Sequence, residues 1–310
     1  MTGENSKKSL IWVYPPNKWI SNCNKTFVYG WTKPGCRLYA VCKGKIKKIK
    51  VFPNGNFAQK IKLPQKKNIV QLVQVLNGKE KTITRCVIAR EQSDRSNPDR
   101  FSRGRSGLLR RHFVPPRNDM VIVIDPGHGG KEHGTHSPKG VPEKVYNLQI
   151  AKNLVQALHT TPQQWKIYLT RSTDKFVSLK DRVRFAKNKK CNLLISIHHN
   201  ALPDNEDPLK HRGVGIYYTH DFVKPLGKSL LESISKSVRA RHGTPLQKYG
   251  LYKRDFALTK PDFCHAVLIE CGFLIHPVEG EIITQKNTQK KIVTGVKKAL
   301  FTFYRRQPLK

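Results

Sequence analysis

Residues 120–130 read MVIVIDPGHGG, a continuous apolar run that ends in a glycine-rich turn around His128. Such a run is typical of a strand in a parallel sheet whose two faces are both covered by helices. The glycines permit tight backbone turns at the end of the strand and leave open space beside the histidine. The stretch therefore predicts an α/β fold with a polar side chain at the carboxyl end of its first strand.

Strand and helix patterns alternate from this stretch to the end of the chain. Ser178, with Asp181 three residues later, predicts a capped helix start. The alternation favours a largely parallel sheet with helices on both faces. The segments are, in order, the helix VYNLQIAKNLVQALH with Val145, Leu148, Ala151, Leu154, Val155 and Leu158 on one face, the strand WKIYLTR, the helix SLKDRVRFAKNKK, the strands NLLISIHHN and GVGIYYT, the helix PLGKSLLESISKSVRARHG ending at Gly243, the strand HAVLIECGFL and the helix KKIVTGVKKALFTFY.

Residues 26–90 carry a different pattern, in which short strands are separated by turn residues. Asn54-Gly55 and Asn77-Gly78 lie between alternating apolar runs, a strong hairpin signal because both central residues accept positive φ. Strands and turns at this spacing predict a small sandwich or barrel. The run GWTKPGCRL, followed by GNFA, also resembles bacterial Ig-like modules. The predicted strands are TFVYGWT, CRLYAVCK, KIKKIKVF, NFAQKIKL, KNIVQLVQVL and KTITRCVIA.

Residues 91–118 interrupt both patterns with arginines, prolines and no sustained periodicity. This composition predicts an exposed linker, with an arm that binds RNA or DNA as the alternative. The predicted organisation is a small β-sandwich of the Ig-like kind at residues 1–90, the linker at 91–118 and an α/β domain at 119–310.

The chain of 310 residues carries 58 Lys and Arg against 21 Asp and Glu, a formal net charge of +37. Such a surface attracts polyanions, and composition leaves nucleic acid, anionic lipid and anionic wall polymer as open alternatives. No stretch approaches the ~20 apolar residues of a transmembrane helix. The apolar stretch from Leu10 to Tyr14 is too short for a secretory signal, so the sequence shows no readable export signal.

Metal-binding side chains lie at the ends of three predicted strands. His128 follows the first strand, and Glu143 lies in the first turn of the helix behind it. His198 and Glu270 end two later strands. We expect these residues to lie close together, because ligands of such sheets bind at the carboxyl ends of the strands. Two imidazoles and a carboxylate are a common ligand set of catalytic zinc, and a second carboxylate can transfer the proton of an attacking water.

Each of these residues also has an ordinary structural interpretation. A histidine in a glycine turn or after a strand is often only a loop or core residue, and the chain contains twelve histidines. Glu270 is harder to explain in this way, because an unpaired carboxylate at the end of an apolar strand is costly to bury. The combination of residues, more than any single one, indicates a metal site.

Five motifs occur in order over residues 120–304: VIVIDPGHGGKEHG, VPEKVYNLQIA, LTRSTDKFVSLKDRV, LISIHHNA and VLIECGFL. As a set they resemble the zinc-dependent N-acetylmuramoyl-L-alanine amidases of the amidase-3 type, which cleave peptidoglycan. The resemblance implies a three-layer α/β/α domain that hydrolyses the amide between N-acetylmuramic acid and L-alanine. Such an activity serves the remodelling of the cell wall and cell separation.

The same resemblance implies roles for individual residues. His128, Glu143 and His198 would be the ligands of Zn²⁺, and Glu270 would be the catalytic glutamate. Glu270 would take a proton from the attacking water and return it to the departing alanine nitrogen. Asn200, two residues beyond a ligand, is expected to bind substrate or to orient the backbone.

Other positions need separate expectations. The residue after His198 is usually small in the family, and here it is His199; we expect it to point outward, with a proton donor or an alternative ligand as the other interpretations. Residues 219–225 leave no room for a long regulatory helix, from which we hypothesise a permanently open site. Arg171 and Arg182 are expected to pair with a carboxylate.

The main alternative is a non-catalytic protein that binds peptidoglycan or nucleic acid on an amidase-like fold. The presence of all four site residues argues against it, and nucleic-acid binding is not favoured because no basic strand with interleaved aromatics is found. Peptidoglycan is the expected partner, with a protein activator as a further one. The function implies the cell envelope or periplasm, and the unreadable export signal keeps a cytoplasmic recycling role as the alternative.

Overall fold

The computed structural model describes residues 9–21, 23–89, 120–161, 165–238 and 248–305. These residues form an all-β part, here called the β module (residues 9–89), and an α/β domain (residues 120–305). The predicted linker at 91–118 lies outside the described residues, so it and the domain limits stay predictions. Within the described residues, no helix is both long and apolar enough to cross a membrane.

The β module is a sandwich of two sheets. Its strands are β1 (Leu10–Tyr14), β2 (Trp19–Ser21), β3 (Lys25–Thr32), β4 (Arg37–Cys42), β5 (Lys45–Ile49), β6 (Asn56–Lys62), β7 (Lys67–Leu76) and β8 (Lys79–Ala89). One sheet has the order β1-β3-β6 and the other β2-β8-β7-β4-β5. Leu38, Phe57 and Leu72 are fully buried in the core that the two sheets share. The predicted small all-β sandwich is therefore confirmed.

Of the two hairpins predicted within the described residues of the β module, only one is present. The prediction at Asn54-Gly55 is wrong, because β5 and β6 on either side of it belong to different sheets. Asn77 and Gly78 both adopt positive φ, 50° and 73°, and join β7 to β8 as the hairpin signal predicts. All six predicted strands are present, whereas β1 and β2 were not predicted. Their partners β3 and β8 are not joined to them by a hairpin, so no adjacent turn marks these short runs as strands.

The α/β domain is built on one six-stranded sheet. Its elements are β9 (Val121–Pro126), α1 (Glu143–His159), β10 (Lys166–Leu169), α2 (Leu179–Asn188), β11 (Leu193–Asn200), β12 (Val214–Tyr218), α3 (Lys224–Val238), β13 (Lys248–Lys253), β14 (His265–Phe273), α4 (Glu279–Thr284) and α5 (Lys286–Arg305). The strand order is β10-β9-β11-β14-β12-β13, and only β12 and β14 pair antiparallel. The largely parallel sheet is thus confirmed.

Helices cover both faces of this sheet. The core on one face includes residues of α1, α3 and α5, such as Leu154, Leu230 and Val296. On the other face Ala186 of α2 packs with Val123 and Leu194. The three-layer arrangement is therefore confirmed. The cap of α2 is also as predicted, because the Ser178 side chain accepts the backbone N–H of Asp181.

The buried face of α1 differs from the predicted one. Val145 is 45% exposed, whereas Asn147 and Ile150 are buried. The helix begins beside a polar centre, and its first residue, Glu143, points inward. The buried stripe therefore starts with two polar residues, which an apolar periodicity cannot detect. Its members are Glu143, Asn147, Ile150, Ala151, Leu154 and Leu158.

The β module is packed directly onto the α/β domain. Phe27, Tyr29 and Ala58 of the module form one buried apolar cluster with Phe273 and Ile275 of the domain. Phe273 is the last residue of β14, so the module lies against the carboxyl edge of the sheet. Burial of apolar area of this kind is the main favourable term in association between domains.

Polar contacts fix the same interface through the loop after β11. The carboxylate of Asp204 accepts hydrogen bonds from the Tyr14 hydroxyl, from Trp19 Nε1 at 3.2 Å and from Thr26 Oγ1 at 3.1 Å. The loop after β14 is held as well, because Asn56 Nδ2 donates to the Pro277 carbonyl at 2.7 Å. The β module thus restrains two of the loops that border the carboxyl edge.

Replacing Asp204 with alanine should weaken this interface. Three donors lose a charged acceptor, so we expect the free energy of unfolding to fall by about 2–4 kcal/mol. Urea unfolding followed by tryptophan fluorescence measures the change. Asp221→Ala is the matched control, because Asp221 forms an exposed pair with Lys253 that should contribute little. Equal stability of the two variants would show that Asp204 does not hold the interface.

Candidate metal centre

The glycine turn after β9 is shaped by its closeness to the other site residues. His128 itself adopts a positive φ of 60°. A Cβ atom added at Gly127 would lie 2.2 Å from the His198 ring, and one added at Gly134 would lie 2.3 Å from Glu143 Oε2. Both distances are far below a van der Waals contact. The glycines therefore serve the close approach of the three polar side chains.

The side chain of Arg182 fixes the backbone of this glycine turn. Its guanidinium is 2% exposed and pairs with Asp125 at 2.7 Å. The same group donates to the carbonyls of Pro126 at 2.8 Å and His128 at 2.7 Å. The expected pairing of Arg182 with a carboxylate is confirmed, and the pair also fixes the backbone of His128.

Arg171 serves the turn in a different way from the expected one. Its guanidinium is also buried, but its hydrogen bonds go to backbone carbonyls, among them Pro126 and Gly127 at 2.9 Å each and Lys144 at 3.0 Å. Among the described residues no carboxylate pairs with it directly. The expectation of a carboxylate partner is wrong for Arg171, because a turn with inward carbonyls already satisfies its donors.

Three of the predicted site residues converge at the carboxyl edge. His128 Nε2 lies 3.2 Å from Glu143 Oε2, and His198 Nδ1 lies 3.1 Å from Glu143 Oε1. One ligand atom from each residue can be chosen so that all lie within 4.8 Å of one another. Such a set can hold a metal ion. The side chains of His128 and His198 are 28% and 20% exposed, so the centre can be reached from solvent.

Glu143 is the most strongly held of the three. It is 2% exposed and accepts the backbone N–H of Thr135 at 3.0 Å and of His199 at 2.9 Å. Asn147 Nδ2 adds a further bond at 2.9 Å. Burial by itself raises the pKa of Glu143, but the hydrogen bonds with the two histidines outweigh it and hold the pKa well below its usual range. The carboxylate is therefore charged and ready to bind a cation.

His199 does not point outward as expected. Its side chain is 2% exposed, and its Nδ1 lies 2.8 Å from Asn147 Oδ1. Burial lowers the pKa of His199 to about 4. A neutral ring with a proton on Nδ1 fits this bond, so His199 orients Asn147, which in turn bonds Glu143. The physical reason is that α1 covers this face of β11, so both faces of the strand end are buried.

Glu270 lies beside the three converging residues. In the parallel register of β11 and β14 it is directly opposite His198. Its Oε2 is inaccessible to solvent and has no hydrogen-bond partner among the described residues. Burial, and then the charge of Glu143, raise the pKa of Glu270 well above its usual range. A buried carboxyl oxygen without a partner is rare in folded proteins and calls for an explanation.

The remaining predicted residue, Asn200, ends β11 and is half-buried. Its side chain lies near the Tyr217 hydroxyl and by itself lowers the pKa of that group. Burial and the nearby charge of Glu270 raise the pKa of Tyr217. Tyr217 thus borders the site together with Asn200 and Glu270. Sequence reasoning missed Tyr217, because it reaches the site through the antiparallel pairing of β12 with β14, which no local pattern reveals.

The loop after β14 is built around His276 and Glu279. Nδ1 of His276 accepts the backbone N–H groups of Val278 and Glu279, both at 3.1 Å. Burial, and then the charge of Arg212, lower the pKa of His276 to about 4. The Glu279 carboxylate accepts the backbone N–H of Gly213 at 2.9 Å and of Phe273 at 2.8 Å. The two residues therefore fix the end of β14 and the entry to β12.

This fold and these side chains define an α/β protein built around a candidate metal centre at the carboxyl edge of its sheet. The family model of N-acetylmuramoyl-L-alanine amidases matches residues 122–302, which is more than half of the chain. The chain belongs to this amidase family.

Curated relatives agree with this assignment over more than half of the chain. The probable cell wall amidase LytH of Staphylococcus saprophyticus is 33% identical over 173 residues, 55% of this chain and 54% of the relative. The N-acetylmuramoyl-L-alanine amidase LytC of Bacillus subtilis is 30% identical over 60% of this chain and 36% of LytC. The chain thus spans about half, or less, of the length of these relatives.

Solved structures show the same domain. The crystal structure of an N-acetylmuramoyl-L-alanine amidase from Clostridium difficile 630 is similar with a TM-score of 0.56 and 30% identity, over 62% of this chain and all of that chain. The catalytic domain of CwlV, an amidase from Bacillus (Paenibacillus) polymyxa, is similar with a TM-score of 0.55 and 26% identity, over 61% of this chain and 99% of that chain.

Removing one candidate ligand should remove metal binding. We expect His128→Ala to lower the affinity for Zn²⁺ by more than about 100-fold, because the loss of an outer partner alone costs about 10–100-fold. Competition with a fluorescent zinc indicator measures the affinity. His159→Ala, at the exposed end of α1, is the control and should bind one ion like the wild type. Unchanged affinity in His128→Ala would exclude His128 as a ligand.

His276 should make the stability of the chain depend on pH. Its pKa of about 4 in the folded state is below the ordinary 6.5, so the unfolded state binds more protons between these values. The contribution of His276 to the free energy of unfolding is fully present above about pH 6.5. It is lost as the pH falls, by about 3 kcal/mol at pH 4. Asn in its place accepts the same N–H groups without titrating.

Urea unfolding of wild type and His276→Asn at several pH values tests this. As the pH falls from 6.5 to 4, the free energy of unfolding of the wild type should decrease relative to that of His276→Asn. A difference that does not change with pH would show that His276 is protonated in the folded state as readily as in the unfolded state.

Proposed function

We propose that the chain hydrolyses the amide bond between N-acetylmuramic acid and L-alanine in peptidoglycan, with Zn²⁺ as its metal. The observation that carries this proposal is the convergence of His128, Glu143 and His198 beside Glu270, whose buried Oε2 has no hydrogen-bond partner among the described residues. Membership of the amidase family gives the substrate class. The same membership, and the cell wall amidases among the relatives, support an extracytoplasmic site of action.

The residues present fit a zinc ion. Two imidazoles and one carboxylate match the usual three-ligand set of catalytic zinc, with one position left open. Gly127 and Gly134 keep free the space that side chains would otherwise fill between the ligands. When bound, zinc polarises the scissile carbonyl and makes water acidic enough to attack at neutral pH.

Glu270 supplies the proton transfer that amide cleavage requires. Its buried Oε2 has no partner among the described residues, as expected of a group whose partner arrives with the reactants. In the proposed reaction this carboxylate accepts a proton from the attacking water and delivers it to the leaving alanine nitrogen. Protonation of that nitrogen is necessary because an amide anion is a very poor leaving group.

Other side chains hold the reacting groups in place. Asn200 and Tyr217 border the site next to Glu270, and we assign to Asn200 the binding of a polar group of the substrate. Asn147 and His199 keep Glu143 oriented from behind. An outer layer of this kind usually tunes both metal affinity and rate. Arg182 fixes the backbone of His128 in the same manner.

Glu270→Gln tests the reaction. We expect release of lactyl-ended glycans and L-alanine-ended peptides from purified peptidoglycan to fall about 10²–10⁴-fold, because glutamine cannot accept the proton. Zinc affinity should stay near that of the wild type, since Glu270 is not a ligand. Mass spectrometry of the products measures the rate, with and without chelator. Glu80→Gln, at an exposed position of β8, is the control.

Two outcomes would contradict the proposal. Full activity of Glu270→Gln would remove Glu270 from the reaction. Absence of products from the folded, zinc-loaded wild type would favour a protein that binds peptidoglycan without cleaving it, unless addition of a protein activator restores release.

A further inference from the structure

A groove runs along the open side of the β module, between the edge strands β5 and β6. These strands belong to different sheets and end the orders of both. The cavity between them measures about 720 Å³. Binding sites for small molecules and peptides occupy about 300–1,000 Å³. The groove is thus large enough for a peptide of a few residues.

The rim of this groove is strongly basic. Lys45 and Lys47 of β5 and Lys62 of β6 are exposed and line it, together with Lys25 and Lys60. Among the lining residues only one carboxylate, that of Asp207, opposes them. Five lysines around one groove produce a positive potential in which anions concentrate.

The floor of the groove is apolar. Ala40, Ile61 and Leu63 form it, and all of them belong to the buried core of the module or its edge. Lysines on edge strands commonly prevent pairing with other sheets. That role requires neither a concave cavity nor an apolar floor beneath the lysines, so the combination indicates a ligand.

The groove also lies next to the loop that follows the candidate metal ligand His198. Asp207 of that loop lines the groove, and Lys60 Nζ donates to the carbonyl of Asn205. Three residues earlier, Asp204 anchors the loop to the β module. A polymer bound in the groove would therefore be held close to the loop after β11, which begins at the carboxyl edge of the sheet.

We propose that this groove is a second binding site, which takes a carboxylate-bearing stem peptide of the wall while a different amide is cut at the metal centre. The proposal rests on the amidase function. Alanine methyl groups suit the apolar floor, and the free carboxylates suit the lysines. Edge strands in addition offer backbone groups to an extended peptide. A phosphate polymer would pair with the lysines but would make no favourable contact with the apolar floor.

The test measures binding in a chain that does not hydrolyse. Isothermal titration calorimetry with a synthetic stem tripeptide is carried out on full-length Glu270→Gln, so the result does not depend on amidase activity. We expect the added changes Lys45→Gln, Lys47→Gln and Lys62→Gln to weaken binding about tenfold. The matched control carries Lys33→Gln, Lys79→Gln and Lys81→Gln, which remove equal charge at exposed positions at the opposite end of the module.

Each outcome decides the proposal. Weaker binding by the groove variant alone supports it. Equal loss in both variants would assign the effect to net charge and overturn it. In a parallel titration with polyphosphate, binding that the groove changes weaken, without binding of the tripeptide, would also overturn it, in favour of a phosphate polymer. A folded groove variant that binds like its parent would exclude the site altogether.

Discussion

The hydrogen bonds of the buried Glu143 carboxylate are the interaction on which the candidate metal centre depends. A charge that is 2% exposed is tolerated only if it is compensated by hydrogen bonds and opposite or polar partners. Here the compensation comes from His128 and the backbone of Thr135, both in the connection between β9 and α1, and from His198 at the end of β11. Satisfying this one carboxylate, at the start of α1, therefore brings the glycine turn and the end of β11 to the same place.

Further polar residues hold the groups that contact this carboxylate. Asn147 bonds Glu143 and is itself oriented by His199. On the other side Arg182, paired with Asp125, fixes the backbone that carries His128. These contacts satisfy the Glu143 carboxylate before any ion binds, which favours a rigid site. A preorganised site needs little rearrangement during catalysis.

The β module contacts the strand end and the loop that border the site. Its aromatic face covers the end of β14, and Asp204 attaches the loop after β11 to it. The module therefore forms part of the boundary of the carboxyl edge of the sheet. Its lysine-lined groove lies beside the same loop, and the proposed second site would give part of the net charge of +37 a role in binding the peptide.

The sequence by itself determined the α/β and all-β patterns and the hairpin at Asn77-Gly78. It also predicted that four residues would lie at the carboxyl edge of the sheet, namely His128, Glu143, His198 and Glu270. Both were possible because strand ends and helix starts are local features of the chain. Only the tertiary structure decided the partners of Arg171, the inward position of His199, the place of Tyr217 and the packing of the β module. Each of these depends on which segments meet across the sheet or between the sheets. Contacts between residues so far apart in the chain leave no period or motif in the sequence.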